Sequence, residues 1–415
     1  MRYGLLGERL GHSFSKEIHG LLGDYSYDLI EVAREDLDEF LRTKDFAGLN
    51  VTIPYKERVI PYLDFIDVAA KEIGAVNTVV NRGGKLYGYN TDFYGMEMLF
   101  AHAKIDPVGK TVAILGTGGT SKTAFSVMKH LGAREIFKVS RSGADGALTY
   151  EGLYEAADKV DIIINTTPLG MFPDIDGCAV DLSKFTRLSG VIDAVYNPLR
   201  TSLIIEAKKR GIRAEGGLYM LVAQAARAAE LFSGERIGIL KIEKVYRRIL
   251  RDKENIVLIG MPASGKTTVG RLLEKKLGRK AYDSDKLIEK AEKRSISDIF
   301  REDGEAAFRQ MEADMVRSLS EKSGIIISTG GGVPLRGENV DNLKKNGRLY
   351  FIDRPLGQLM PTKSRPLANS AEAIERRFNE RYGIYSRAAD VRIDADTSAP
   401  MTADKIIKEL YAKRR

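Results

Sequence analysis

The sequence is poor in the residues that build metal centres and cross-links. Cys178 is its one cysteine, so an intrachain disulfide and a cysteine metal cluster are both excluded. Its four histidines, His12, His19, His102 and His130, show no ligand-like spacing. His12 and His19 could be taken as a metal pair, but core or solvated histidines are the better reading. Long apolar runs are missing as well. No stretch approaches the length that spans a bilayer, and the opening MRYGLLGERLGHSFS holds no apolar segment of signal-peptide length. A cytoplasmic protein with no membrane partner is expected. Charge of one sign is in excess only late in the chain: 32 basic and 32 acidic residues run to Leu250, then 33 basic face 25 acidic, which gives the net +8. No recognition motif or aromatic-interleaved basic patch accompanies that excess, so nucleic acid is not expected. A phosphate site with several arginines accounts for it more economically.

What is present is an ordinary globular composition, 43% hydrophobic and 29% charged over 415 residues, enough for two or three domains. No repeat or low-complexity tract appears. Short strand-like runs (YGLLG, YDLIEV, GLNVTI, NTVVN) alternate with helical stretches over the first hundred residues. The pattern restarts near residue 110 with KTVAILG, a tight turn GTGGTS and the amphipathic KTAFSVMKHLGA. EIFKVSR, DIIINTT and GVIDAVY read as further strands of a parallel sheet. Two helices follow, the second ending in the charged run KVYRRILRDKEN, and NIVLIG opens a new domain.

GTGGTS lies between strand and helix, where a dinucleotide pyrophosphate binds: glycines let the backbone approach, and the helix N-terminus supplies N–H groups. A close strand–helix crossing would also use such a turn, and Ser121 departs from the full G-x-G-x-x-G spacing. The next strand ends in KVSRSG, which sets Arg141 at the ribose end, where an arginine suits a 2′-phosphate and an acid would suit a 2′-hydroxyl.

Seven segments then stand together: GHSFSKEIHG, GLNVTIPYKE, GAVNTVVN, GYNTDFYG, NTTPLGM, DAVYNPLRT and GGLYMLVAQ. In content and order they resemble the shikimate dehydrogenase family over about residues 1–245. The resemblance implies a substrate lobe at 1–103, completed by helices at about 217–246, and a Rossmann-like NADP domain at 104–216. It implies that Ser13, Ser15, Thr52, Asn77, Asp92, Tyr196 and Gln224 hold the substrate, with Lys56 and Asp92 the catalytic pair. Gly116, Gly118, Gly119, Thr120, Ser140, Arg141, Thr166 and Gly217 would line the NADP(H) site. Chemistry asks for such a pair, because hydride transfer to a ketone builds charge on oxygen that a proton donor must meet. Read alone, Lys56 and Asp92 would pass for a surface ion pair. The chain departs from the family at Ser140-Arg141-Ser142, where Asn-Arg-Thr is usual, and a further basic residue is replaced by GADGA.

Residues 260–267, GMPASGKT, fit G-x-x-x-x-G-K-[ST] and run from the strand NIVLI into the helix TVGRLLEKKL. Gly260, Ala263, Ser264, Gly265, Lys266, Thr267 and Thr268 should cradle ATP, with Lys266 bridging phosphates and Thr267 on Mg²⁺. AYDSDKLIE, DGEAAFRQME, STGGGVPL, KSRPLA and ERYGIY resemble shikimate kinase in order and spacing. That resemblance places Asp283 beside Mg²⁺ through water, Asp285 on the reacting hydroxyl, and Arg309 and Arg381 on the substrate carboxylate. Gly330, Gly331 and Gly332 would offer N–H groups to substrate, and Arg365 would come from a lid at about 356–370. The lid is short and carries few arginines. Phosphoryl transfer asks mainly for positioning and charge neutralisation, which a lysine, a metal and converging arginines supply.

The expectation is therefore an α/β chain: an N-terminal α/β substrate lobe plus a Rossmann-like NADP domain, a linker at 247–254, and a P-loop kinase domain with a parallel sheet at 255–415. It would reduce 3-dehydroshikimate to shikimate and phosphorylate shikimate at its 3-hydroxyl, as a monomer or homodimer. Two rivals stay open: a quinate/NAD dehydrogenase joined to another small-polyol kinase, and a ligand-sensing regulator built from inactive modules. The Ser-x-Ser pair at 13 and 15 argues against the first, and the presence of Lys56, Asp92, Lys266 and Asp285 against the second.

Overall fold

Among the described residues three sheets organise the chain. A computed structural model describes residues 2–11, 13–360 and 370–412. The chain divides into two compact units, Met1–Leu250 and Arg251–Arg415. Among the described residues no helix is long and apolar enough to cross a membrane.

The first sheet holds β1 (Tyr3–Gly7), β2 (Tyr27–Glu31), β3 (Gly48–Val51), β4 (Phe65–Ile66), β5 (Thr78–Arg82) and β6 (Lys85–Tyr89) in the order β2-β1-β3-β5-β6-β4. It is mixed: β1 pairs in parallel with β2 and β3, and β5 is antiparallel to both β3 and β6. The antiparallel β5–β6 hairpin turns through Gly83 and Gly84, both at positive φ. Leu6, Leu49, Val51, Val79 and Leu86 form the core on one face of this sheet.

The second sheet, β7 (Thr111–Leu115), β8 (Glu135–Val139), β9 (Ile162–Asn165), β10 (Gly190–Asp193) and β11 (Arg213–Glu215), is wholly parallel. Its order is β11-β10-β9-β7-β8. Successive residues of β7 point to opposite faces: Val112 and Ile114 enter a core with helices Ser15–Leu22, Thr91–Ala103 and Leu218–Ser233, while Ala113 and Leu115 enter another. The order reverses between β7 and β9, and a doubly wound sheet binds its ligand outside the strand ends at that point. The turns GTGGTS and NTTPLG leave the sheet there.

The second unit carries β12 (Asn255–Ile259), β13 (Ala281–Asp283), β14 (Ile326–Ser328), β15 (Gly347–Asp353) and β16 (Val391–Asp394), all parallel, in the order β13-β14-β12-β15-β16. Ile256 and Leu258 face one core, Val257 and Ile259 the other. Residues 247–253 are helical, within the helix Ile239–Lys253. Its residues Ile242, Val245, Tyr246 and Ile249 are buried in the first unit's core. At the helix end, Arg279 donates to the carbonyls of Arg251 and Glu254.

Two candidate active sites

In the first unit, the strand ends of the mixed sheet gather polar side chains where the apolar period stops. Lys56 follows β3, and Asp92 stands in the first turn of helix Thr91–Ala103, with Asn90 capping that turn through Phe93 N–H. The Lys56 ammonium donates to Asp92 Oδ2 at 2.5 Å, with the two side chains only 17% and 10% exposed. So this is not a solvated surface pair; each charge depends on the other. Asn77 and Gln224 are buried and meet at Thr91: Thr91 N–H donates to Asn77 Oδ1 at 2.7 Å, and Thr91 Oγ1 to Gln224 Oε1 at 3.2 Å. Ser13 Oγ donates to Ser15 Oγ at 3.0 Å, and burial raises the Tyr196 phenol while a bond with Ser13 opposes that shift. Thr52 is half-buried at the end of β3, its N–H on Leu6 O.

The glycine turn borders this group. A Cβ on Gly119 would stand 3.9 Å from Lys56 Cδ, so the turn and the Lys56–Asp92 pair are neighbours. Gly116, at φ +107°, leaves room for Thr166 Oγ1, which donates to Leu115 O at 2.6 Å. Gly118 has open space where a Cβ would be, and helix Gly119–His130 starts without a side-chain cap. An open backbone cradle at an uncapped helix start fits the phosphates of a dinucleotide. Thr120 is half-buried in that first helical turn, and Ser140 Oγ, beyond β8, accepts from Gly143 N–H. Arg141 is exposed on the rim, beside Tyr150. Gly217 has a packing reason to be glycine, because a Cβ there would collide with the Ala194 carbonyl.

In the second unit, GMPASGKT forms a nest: Gly260 (φ +144°), Ala263 (φ +65°) and Gly265 (φ +94°) turn the chain into helix Lys266–Leu277. Lys266 Nζ lies inside the loop, donating to the carbonyls of Gly260 and Met261 at 2.9 and 2.8 Å. Ser264 is buried in the loop and Thr268 exposed on the helix. Thr267 Oγ1 donates to Asp283 Oδ2 at 2.6 Å, so the two oxygen donors expected at Mg²⁺ are adjacent. Among the described residues no cluster of three or more acidic, His or Cys side chains could cage a metal. Two oxygens, with water and phosphate completing the shell, is how Mg²⁺ sits beside a nucleotide.

Opposite the loop, Asp285, Gly330 and Glu312 crowd together: a Cβ on Gly330 would collide with Asp285 Oδ1 and stand 2.8 Å from Glu312 Oε1. Gly330 N–H donates to Ser284 Oγ at 2.9 Å, so turning it toward substrate would require that bond to be exchanged. Arg309 donates to buried Glu312 and to Glu305, each at 2.9 Å. Burial raises the Glu312 carboxyl against the pull of Arg309; burial works against the Arg309 charge, but Glu312 and Glu305 outweigh it. Arg381 is buried, and its Nη1 and Tyr385 OH both donate to Gly331 O. Arg365 and His12 lie outside the described residues.

Sequence reasoning missed Asn50, Thr78, Thr91, Glu312 and Asp193. Glu312 could have been found, since it stands one helical turn from Arg309 with opposite charge. Asp193 is fully buried under bonds from Asn165, Val195 N–H and Thr201, and desolvation lifts its carboxyl to about 7 against those bonds.

The family described as shikimate dehydrogenase substrate binding domain matches residues 5–79, and the one described as shikimate kinase matches residues 262–411. A shikimate dehydrogenase (NADP(+)) of Clostridium perfringens is 36% identical over 264 residues, 60% of this chain and 97% of that protein. The crystal structure of shikimate dehydrogenase 1 from Peptoclostridium difficile superposes with TM-score 0.56 at 38% identity, covering 60% of this chain and 98% of its own. That of shikimate 5-dehydrogenase from Thermus thermophilus, in complex with NADP(H) and shikimate, gives 0.55 at 28% identity, covering 60% and 99%.

Proposed function

The chain belongs to the shikimate dehydrogenase family and carries a shikimate kinase domain behind it, and from that premise we propose that one polypeptide performs two successive reactions. The first unit reduces 3-dehydroshikimate to shikimate with NADPH; the second phosphorylates shikimate at its 3-hydroxyl with ATP and Mg²⁺. The observation that carries the reading is that each unit sets a nucleotide-type glycine loop beside charged groups suited to one small polyhydroxy carboxylate.

In the first unit, Ser13, Ser15, Thr52, Asn77, Tyr196 and Gln224 hold the substrate's carboxylate and hydroxyls. Gly116, Gly118, Gly119 and Thr120 receive the pyrophosphate, with Thr166 and Gly217 behind them and Ser140 and Arg141 toward the ribose. NADPH supplies the hydride when bound. Lys56 gives a proton to the carbonyl oxygen as charge builds there, a contribution of about 10²–10⁴-fold for a placed general acid. Asp92 holds the ammonium and shares the substrate hydroxyls. Its proximity at 2.5 Å supports this division of labour.

For the second unit, Asp285 orients the acceptor hydroxyl while Arg309 and Arg381 grip the carboxylate by charge-assisted bonds. Gly331 and Gly332 offer backbone donors, with Gly330 beside them. Lys266 leaves its loop carbonyls for phosphate oxygens, and Thr267 and Asp283 hold the metal side. Mg²⁺ with ATP supplies the transferable group and neutralising charge. Arg365 completes that neutralisation. Catalysis here rests on pre-placed charge, because the reacting centre itself needs little covalent help.

Purified protein given 3-dehydroshikimate, NADPH, ATP and Mg²⁺ should release shikimate 3-phosphate, with shikimate accumulating when ATP is withheld. Absence of shikimate in that second reaction would overturn the dehydrogenase half. Preferential oxidation of quinate with NAD would replace it with the rival reading.

A further inference from the structure

Beneath the substrate side of the first unit runs a buried line of polar side chains from Tyr27 to the amides of Asn77 and Gln224. Tyr27 OH donates to Asn50 Oδ1 at 2.8 Å, and Asn50 Nδ2 to Thr78 Oγ1 at 3.0 Å. Thr78 Oγ1 lies 3.2 Å from Asn77 Oδ1 and 3.1 Å from Thr91 Oγ1. Thr91 Oγ1 then accepts from Asn77 Nδ2 at 3.1 Å and donates its one proton to Gln224 Oε1 at 3.2 Å. Every member is buried.

We propose that Tyr27, backed by His19, and Thr78 are positioning residues that hold the substrate-side amides Asn77 and Gln224 in place through the Thr91 hydroxyl. The inference rests on the reading that a polyhydroxy carboxylate binds over those amides. A backbone group already sets which way each amide faces, Thr91 N–H on Asn77 Oδ1 and Leu221 O on Gln224 Nε2, and the line supplies the second partner that holds it there. Tyr27 has one proton to give, and burial keeps the phenol protonated by raising its pKa. Because that proton goes to Asn50 Oδ1, Asn50 must present its NH₂ to Thr78. Thr78 then accepts at its oxygen and has its own proton for the next acceptor. Thr91 passes its proton on in the same sense, and Gln224 Oε1 faces inward while its Nε2 donates to Leu221 O at 3.0 Å. Each terminal amide has its oxygen held within the line, and its second N–H remains for a substrate oxygen.

His19 fixes the start of the line. Its ring stacks on Tyr27 with centroids 3.8 Å apart and planes within 7°, and its Nδ1 is 2.6 Å from Tyr25 OH. Burial keeps the imidazole neutral, its pKa lowered to about 3, so it clamps the phenol without adding a charge.

The test compares Tyr27→Phe, Thr78→Val and Thr78→Ser in the full chain. Shikimate oxidation with NADP is followed at steady state, with melting temperature and the kinase rate of the same protein as measures of folding. Tyr27→Phe and Thr78→Val should raise the shikimate KM about tenfold, one net hydrogen bond's worth at 1.4 kcal/mol per decade, with the NADP KM unchanged. Thr78→Ser retains the hydroxyl and should stay within about twofold of wild type, since one bond is kept. An unchanged shikimate KM in folded Tyr27→Phe and Thr78→Val, or an equal rise in Thr78→Ser, would overturn this inference alone. A wild-type protein inactive on shikimate would overturn the functional reading and this inference together.

Discussion

Gly332 is where a single methyl group separates space from strain. Its φ is −91°, ordinary for any residue, so the backbone tolerates alanine. The side-chain volume is the obstacle. A Cβ there would stand 2.5 Å from Arg309 Cζ, 2.8 Å from Nη2 and closer still to Nη1. The guanidinium is the far end of a flexible chain and can swing away, so the steric cost is small. What it leaves behind is costly: Glu312, 1% exposed, loses the 2.9 Å bond that compensates its burial. On the proposed reading, the carboxylate grip loses one of its two arginines. A hydrogen bond to a charged group contributes about 1.5–3 kcal/mol, so Gly332→Ala should raise the shikimate KM of the kinase by about ten- to hundredfold. The neighbouring Gly331→Ala differs, because its Cβ would press on Pro262 Cγ and Cδ at 3.0 and 3.1 Å, on the nucleotide loop. It should raise the ATP KM, which Gly332→Ala leaves unmoved. Both constants are read from a coupled ADP assay, with shikimate oxidation by the same protein confirming that the first unit is intact. If Gly332→Ala leaves the shikimate KM unmoved, Arg309 does not hold the substrate where its geometry places it.

Lys56→Ala should lose about 10²–10⁴-fold of ketone reduction while the kinase rate stays whole; a near-normal reduction rate would remove the proton-donor role. Arg141→Ala should raise the NADPH KM and hardly touch that of NADH, and equal losses would mean Arg141 acts structurally. Asp193 titrates near 7 when folded and near 3.8 unfolded. Raised in the folded state, it makes stability fall as pH climbs from about 4 to 7, by about 4 kcal/mol at 1.36 per unit. Buried His19, lowered to about 3, works the other way, removing stability as pH falls below about 6.5. The stability of Asp193→Asn should therefore rise more steeply than wild type over pH 4–6.5, and a parallel profile would refute the buried titration.

The local parts of this fold were legible because their causes are local. The glycine turn after β7, the P-loop after β12 and the strand–helix alternation each follow from a few consecutive residues. Sheet order was not legible: nothing within β4 says that it pairs with β6 across the hairpin rather than with its sequence neighbour β3. The site divides the same way. Lys56 and Asp92 could be named from motifs, but their 2.5 Å pairing depends on how β3 and helix Thr91–Ala103 approach. Asn50 and Thr78 were overlooked because each sits beside a more conspicuous residue, Thr52 and Asn77, and a buried hydrogen-bond line has no sequence period. Gly217 read as cofactor-facing from its motif, yet the fit against the Ala194 carbonyl is a long-range packing demand that a motif does not express.

The core that joins Ile18 and Leu22 of helix Ser15–Leu22 to Ala223 and Ala226 of helix Leu218–Ser233 imposes an order in time. The first helix leaves the ribosome about 200 residues before the surface that covers it, a wait of about 10–40 s at ordinary elongation rates of 5–20 residues per second. During that interval the whole second sheet is made and can close on itself, while the first helix has β1 and β2 beside it but not the apolar surface of helix Leu218–Ser233. Nascent chains halted before residue 217 should be cut readily by protease within their first hundred residues. Chains extended until Leu250 has cleared the exit tunnel should resist, and equal resistance at both lengths would show that the N-terminal segment shelters itself. Synthesis of this protein therefore carries an early debt of exposed apolar surface, which makes the opening hundred residues the natural place for a chaperone to hold.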